Sequence, residues 1–157
     1  MDLAAARALA LELMAVHGIL DWDFAFDNSR RRFGVCRWHS RIIGLSRPLT
    51  LLNGEAPVRD TLLHEIAHVK AGRAAGHGPA WKAVARAIGA KPRRCYEDHA
   101  VLTPPLPYLC RCPACGRSQQ TARRPRRRRS CGRCSPTFDA RFLLQIEPNP
   151  AYAGRKP

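Results

Sequence analysis

No stretch of this 157-residue chain approaches the roughly 18 uninterrupted apolar residues that a membrane span needs, so no membrane partner is expected. Acids are scarce: 12 Asp and Glu stand against 27 Lys and Arg, a formal net charge of +15. So one-sided a charge bears on partners more than on fold. Charge alone leaves DNA, RNA and an anionic membrane as candidates. A secretion signal is also lacking, since Met1-Asp2-Leu3 has no basic start and the Ala/Leu-rich opening carries Arg7 and Glu12. The expected compartment is the cytoplasm, with nucleoid association if the source is bacterial. Aromatic residues make up only 7% of the chain, and Trp22, Trp38 and Trp81 are expected as core anchors. Cysteines number seven, an odd count that disfavours a disulfide framework; four of them in paired C-x₂-C spacing favour a metal site in a reducing compartment.

What is present centres on Thr61-Leu62-Leu63-His64-Glu65-Ile66-Ala67-His68-Val69. On a helix, His64 and His68 lie about 40° apart on one face, one turn from each other, where two neutral imidazoles can hold one Zn²⁺. Glu65 falls on the flank of that site, where a carboxylate can take a proton from a zinc-activated water. The neighbouring apolar residues bury the helix on most sides. A catalytic zinc commonly keeps three protein ligands and one open position. Gly72 suits the helix end, and His77 follows between Gly76 and Gly78, where little backbone crowding opposes approach to a metal. Pro79 then suits the first turn of another helix. His64, His68 and His77 are the expected ligands and Glu65 the expected general base.

Taken together, His64-Glu65-Ile66-Ala67-His68 and Gly76-His77-Gly78-Pro79-Ala80-Trp81-Lys82 resemble the SprT-like (Spartan) zinc metalloproteases. The resemblance extends upstream to Ile42-Ile43-Gly44-Leu45-Ser46 and downstream to a four-Cys ribbon, covering about residues 20–145. It implies that His64, His68 and His77 bind a catalytic zinc and that Glu65 acts as base. It also implies substrates that are proteins on, or covalently attached to, DNA, with nucleic acid promoting activity. The long partner-binding tails of the eukaryotic members have no counterpart here, so those partnerships do not carry over.

Along the chain, residues 2–17 read as a helix with Leu3, Leu9, Leu13 and Val16 on an apolar stripe, closed by Gly18. Residues 21–27 alternate aromatic and acidic positions as a half-buried strand does. Residues 33–38 and 41–46 make two further strands, and the short loops predict a three-stranded antiparallel meander packed on the zinc helix. Pro57 is placed to start that helix, and the next one runs from about residue 79 to 88. A sheet edge beside such a helix often holds a peptide as an added strand, but the sequence does not reveal which strand is the edge. Cys36 reads as a small buried hydrophobe and His17 as a helix-end residue; His39 lies in a turn. Tyr96, His99 and Tyr108 are conceivable oxyanion donors, none of them assigned.

Residues 103–107 (Thr-Pro-Pro-Leu-Pro) are stiff and mark a module boundary. The expected division is residues 1–103 as a metalloprotease domain, 104–147 as a nucleic-acid-binding zinc ribbon and 148–157 as a disordered tail. Cys112, Cys115, Cys131 and Cys134 form C-x₂-C-x₁₅-C-x₂-C, the spacing of a closed structural zinc site. Cys110 offers another register, although the C-P-x-C-G knuckle favours Cys112. Between the knuckles lie Arg123, Arg124, Arg126, Arg127, Arg128 and Arg129, a phosphate clamp or a solvated loop tip. The second half is the more basic: residues 91–157 hold 15 Lys/Arg against 4 Asp/Glu, and residues 1–90 hold 12 against 8. Phe138 and Phe142 fit ribbon packing better than base stacking.

The fold class is therefore α+β: a zincin-like domain with an N-terminal helix, a three-stranded sheet, the zinc helix and a following helix, plus a small β ribbon. The expected function is a zinc-dependent endopeptidase with one catalytic and one structural Zn²⁺. It would be a monomer that cleaves proteins bound or crosslinked to single-stranded or duplex DNA, with RNA the other candidate nucleic acid. Two rivals stand beside it: a non-catalytic zinc-containing nucleic-acid-binding protein, and a zinc hydrolase of non-peptide substrates.

Overall fold

Asp2 begins the folded chain by accepting a hydrogen bond from the Ala5 amide (2.9 Å), which caps α1 (Leu3–Val16). In this computed structural model, which describes residues 1–94 and 101–152, α1 buries Ala6, Leu9, Ala10, Leu13 and Met14. Their spacing of three and four is the periodicity of one helix face. Val16, expected on that stripe, is 70% exposed, because the buried face runs through the small alanines instead. His17 caps the helix end, and its carbonyl accepts a hydrogen bond from Lys70 Nζ (3.1 Å).

Strands β1 (Asp23–Asp27), β2 (Gly34–Arg37) and β3 (Ile42–Ser46) form one sheet in the order β1-β3-β2. Here the structure corrects the expected meander: β1 runs parallel to β3, and only β2 pairs antiparallel. The reason lies in β3, where residues 43 to 46 are all buried, so this strand must be central. Registers Phe24↔Ile43 and Phe26↔Leu45, with Gly34↔Leu45 and Cys36↔Ile43, put these residues on one face of the sheet. On the other face Arg37 lies close over Gly44 and reaches Asp27 (2.7 Å), tying the two outer strands together across the middle one.

Ser46 then caps α2 (Arg47–Leu52), a helix not foreseen from the sequence. Helix α3 (Glu55–Ala71) starts two residues before Pro57. Proline costs nothing there, because first-turn amides have no intrahelical partner. Gly72, at φ 86°, ends the helix, its N–H bonding the His68 carbonyl (3.0 Å). Helix α4 (Pro79–Ala87) packs Trp81 and Ala85 against α3, both fully buried. The side chain of Asn53 bonds Leu102 through both its oxygen and its nitrogen (2.8 Å each), so the chain returns to α2 after residues 95–100.

The chain divides into two compact units, the first spanning Met1–Thr103 and the second beginning at Pro104. In the second, β4 (Tyr108–Arg111) is central between β5 (Ser118–Thr121) and β6 (Gln145–Pro148), all antiparallel. The disordered tail expected from residue 148 onward does not begin there. Pro148 pairs with Tyr108, and buried Asn149 donates to the Leu106 carbonyl (2.8 Å). Residues 153–157 of that expected tail lie outside the described residues. Among the described residues no helix is long and apolar enough to cross a membrane.

Candidate metal centres

Helix α3 holds two of the three candidate imidazoles of the first unit, and its packing is fixed. Leu62 and Ile66 are fully buried and Leu63 nearly so, which leaves one rotational setting for the helix. That setting turns His64 and His68 toward a common point on successive turns. After Gly72 the chain makes a single 3₁₀ turn over Arg73–Ala75, and Gly76 takes φ 48°, a conformation that favours glycine. This reversal swings His77 back to the helix. Its Nε2 lies 3.1 Å from His64 Nε2 and 3.1 Å from His68 Nε2.

A ring nitrogen has either one N–H or one lone pair, so His77 Nε2 cannot bond both neighbours. A shared cation satisfies all three. Nitrogens about 2.05 Å from a tetrahedral zinc lie about 3.3 Å apart, close to the separations found. Burial and the neighbouring imidazoles push His64 down to about 4, and burial with His77 does the same to His68. His77 is lowered as well, by burial and then by Arg94. All three are thus neutral at pH 7, the form that ligates metal. Behind them stands Trp81, whose ring centre lies 4.7 Å from His64, 5.3 Å from His68 and 4.7 Å from His77.

Glu65, one residue past His64, points away from bulk solvent and is only 8% exposed. Burial raises its pKa to about 7; the Arg32 guanidinium and the Cys36 amide oppose the rise without cancelling it. Its carboxylate lies against Gly34 of β2, a sheet edge. Sequence reasoning missed this contact. The available signal was a glycine inside a strand, which often marks a close approach of something else. Cys36, read as a small buried hydrophobe, is half-buried beside the same carboxylate; burial and then Glu65 push its thiol up to about 12, so it stays protonated.

In the second unit Cys112, Cys115, Cys131 and Cys134 converge, with Sγ separations of 3.8 Å (112 to 134) and 3.7 Å (115 to 131). Sulfurs about 2.3 Å from a tetrahedral zinc are about 3.8 Å apart, so this donor set fits the ion closely. Two tight turns make it: the Gly116 amide bonds the Cys112 carbonyl (3.0 Å), and the Cys134 amide bonds the Cys131 carbonyl (3.1 Å). Amides of Cys134 and Arg133 pull the Cys131 thiol down to about 6. Cys110 stays outside the cluster, buried on β4 with Sγ 4.0 Å from Thr121 Oγ1.

Arg123, Arg124 and Arg126 to Arg129 are all exposed, and none of the six is ion-paired among the described residues. Phe142 is half-buried under Arg141, but Phe138 is 62% exposed, contrary to the expectation of ribbon packing. Tyr108 opens β4, facing Thr121 of β5 and Pro148 of β6. Cys95, Tyr96 and His99 lie outside the described residues.

Comparison with known proteins reaches the first of these centres. A model of the SprT-like family matches residues 10–100, the span that holds all three imidazoles and Glu65. The chain belongs to the SprT-like family. Protein SprT of Pseudomonas putida (strain W619) is 30% identical over 129 residues, covering 74% of this SprT-like chain and 78% of that protein. No solved structure matches.

Proposed function

We propose that this SprT-like protein is a zinc-dependent endopeptidase that cleaves proteins bound or crosslinked to nucleic acid. The observation that carries the reading is the convergence of three neutral imidazoles on one point, with the buried Glu65 next to His64 in the same helix. A purely structural zinc is usually closed by four protein ligands, as at the cysteines; three leave a position open.

His64, His68 and His77 would hold the ion, which when bound supplies a Lewis acid and makes a water acidic near pH 7. Glu65 is the proton carrier: its carboxylate takes the water proton and returns it to the amine that leaves when the peptide bond breaks. A site inside the core keeps that carboxylate basic, since burial disfavours its charge. The free edge of β2 runs beside Glu65, so an extended peptide added to that edge would bring its carbonyl to the base. Cys112, Cys115, Cys131 and Cys134 would hold a second zinc that folds the ribbon. Arg123, Arg124 and Arg126 to Arg129 would bind phosphates of DNA without reading sequence, because guanidinium forks match phosphate and few base-reading groups accompany them.

The competing reading, a non-catalytic nucleic-acid-binding protein, draws on the same exposed arginines. A direct test removes zinc from the first site with a chelator and assays cleavage of a DNA-bound protein. Loss of cleavage restored by added Zn²⁺ supports the peptidase. Full nucleic-acid binding with no cleavage in the zinc-loaded protein supports its rival.

A further inference from the structure

We propose that Gly34 is a positioning residue for Glu65: its missing side chain lets the carboxylate lodge against the free edge of β2. The inference rests on the peptidase reading above for its catalytic meaning, but the contact itself is geometric. A Cβ at Gly34 would stand 2.6 Å from Glu65 Oε1, 2.9 Å from Glu65 Cγ and 2.6 Å from Thr61 Cγ2. Backbone torsion is not the reason, since Gly34 is not among the glycines with positive φ. Space is the constraint, and any other residue must displace the carboxylate, the helix or the strand.

Neither obstacle yields easily. Thr61 is β-branched, and its hydroxyl donates to the Pro57 carbonyl (2.8 Å), which fixes the methyl toward β2. Glu65 is held by the packing of Leu62, Ile66 and Val58 on the same helix. The strand is fixed as well. The Ser46 amide donates to the Phe33 carbonyl (2.7 Å), a pair that continues the β2–β3 register one residue beyond Gly34↔Leu45. In an antiparallel pair such positions alternate, so the amides and carbonyls of Gly34 and Cys36 face the unpaired edge. The Cys36 amide acts on the Glu65 carboxylate from that edge. Strand edge and base are thus brought together at the one position of β2 that carries no side chain. A methyl there pushes the carboxylate outward and spoils its reach, while the imidazoles, none of them among the atoms it would meet first, keep theirs.

The test is made in a Thr61→Ser background, which keeps the hydroxyl and removes the methyl, so that the carboxylate alone stands in the way. Adding Gly34→Ala should lower kcat on the order of 100-fold, the scale of a misplacement of about an ångström. KM should change little and two zinc ions per chain should remain. A second readout needs no activity: Gly34→Ala should lower Tm in the Glu65 protein and much less when Glu65 is also Ala. If the Glu65-containing variant fails to fold, the Glu65→Ala version must fold, or the carboxylate is not the obstacle. An unchanged kcat overturns the proposal, as does a loss that only follows loss of zinc. Should the parent protein show no peptidase activity, the peptidase reading fails, and the Tm comparison still decides the contact.

Discussion

His64 and His68 illustrate how far single residues carry the account. Burial lowers both to about 4 from the usual 6.5, so the folded protein holds them neutral where the unfolded chain would protonate them. A depressed folded value means stability that is present above about pH 6.5 and lost as pH falls toward 4. Glu65 works in the opposite sense: raised to about 7, it stabilises most below pH 4.5 and less as pH rises through 7. Two histidines outweigh one carboxylate, so in the chelated protein Tm should rise with pH between about 4.5 and 6.5. A flat Tm over that window would show that the imidazoles are not buried together. Because zinc competes with protons for the same nitrogens, the ion at the histidines should dissociate on acidification through the same range, measurable with a colorimetric zinc indicator. Trp81 is the other residue of consequence. Its Nε1 is the one buried side-chain nitrogen or oxygen without a hydrogen-bond partner among the described residues, and its ring packs against all three imidazoles. Trp81→Ala should cost about 3–5 kcal/mol in denaturant unfolding. Trp81→Phe, which keeps a ring at the back of the histidines, should cost less.

At the scale of elements, the helix of residues 55–71 was legible because its pattern is local: histidines at i and i+4, apolar residues around them, glycine at the end. Helix α4 was legible for the same reason, with Pro79 at its start and Trp81 and Ala85 inward. The sheet was read less well. Short loops between residues 21 and 46 suggested neighbours in chain order, whereas β3 inserts between β1 and β2. Loop length does not register that the most apolar strand, Ile42-Ile43-Gly44-Leu45, must be covered on both sides. Helix α2 was missed because six residues with a proline near the start show too little periodicity. The loop of Gly76-His77-Gly78 is where an element-level variant is informative: His77→Ala should lower zinc content from two to about one per chain. The remaining ion should belong to the cysteines. Retention of two tightly bound ions would contradict the assignment of that loop.

For the whole molecule, the two units should depend on metal to different degrees. The first buries a continuous core from α1 through α4, whereas the second buries little besides Pro104, Cys110, Cys112, Cys131 and Asn149 among its described residues. Cys112→Ser should therefore unfold the second unit while the first keeps its own thermal transition, as seen by circular dichroism and two-step unfolding. The exposed arginines belong to that second unit, so nucleic-acid affinity should fall with it. In the intact protein, if roughly four phosphates are contacted, the logarithmic slope of affinity against salt should be near −3 to −4. A slope near zero on both single-stranded and duplex DNA rejects the clamp.

The claim on which the molecule's function turns is that Glu65 moves the proton in peptide hydrolysis. Substituting Glu65→Gln keeps the shape of the side chain and removes its basicity, so the comparison that matters is cleavage of a DNA-bound protein by the parent and by this variant. Both should carry two zinc ions and bind DNA equally, and the variant should show no turnover above background. Cleavage by Glu65→Gln at the parent's rate would contradict the account.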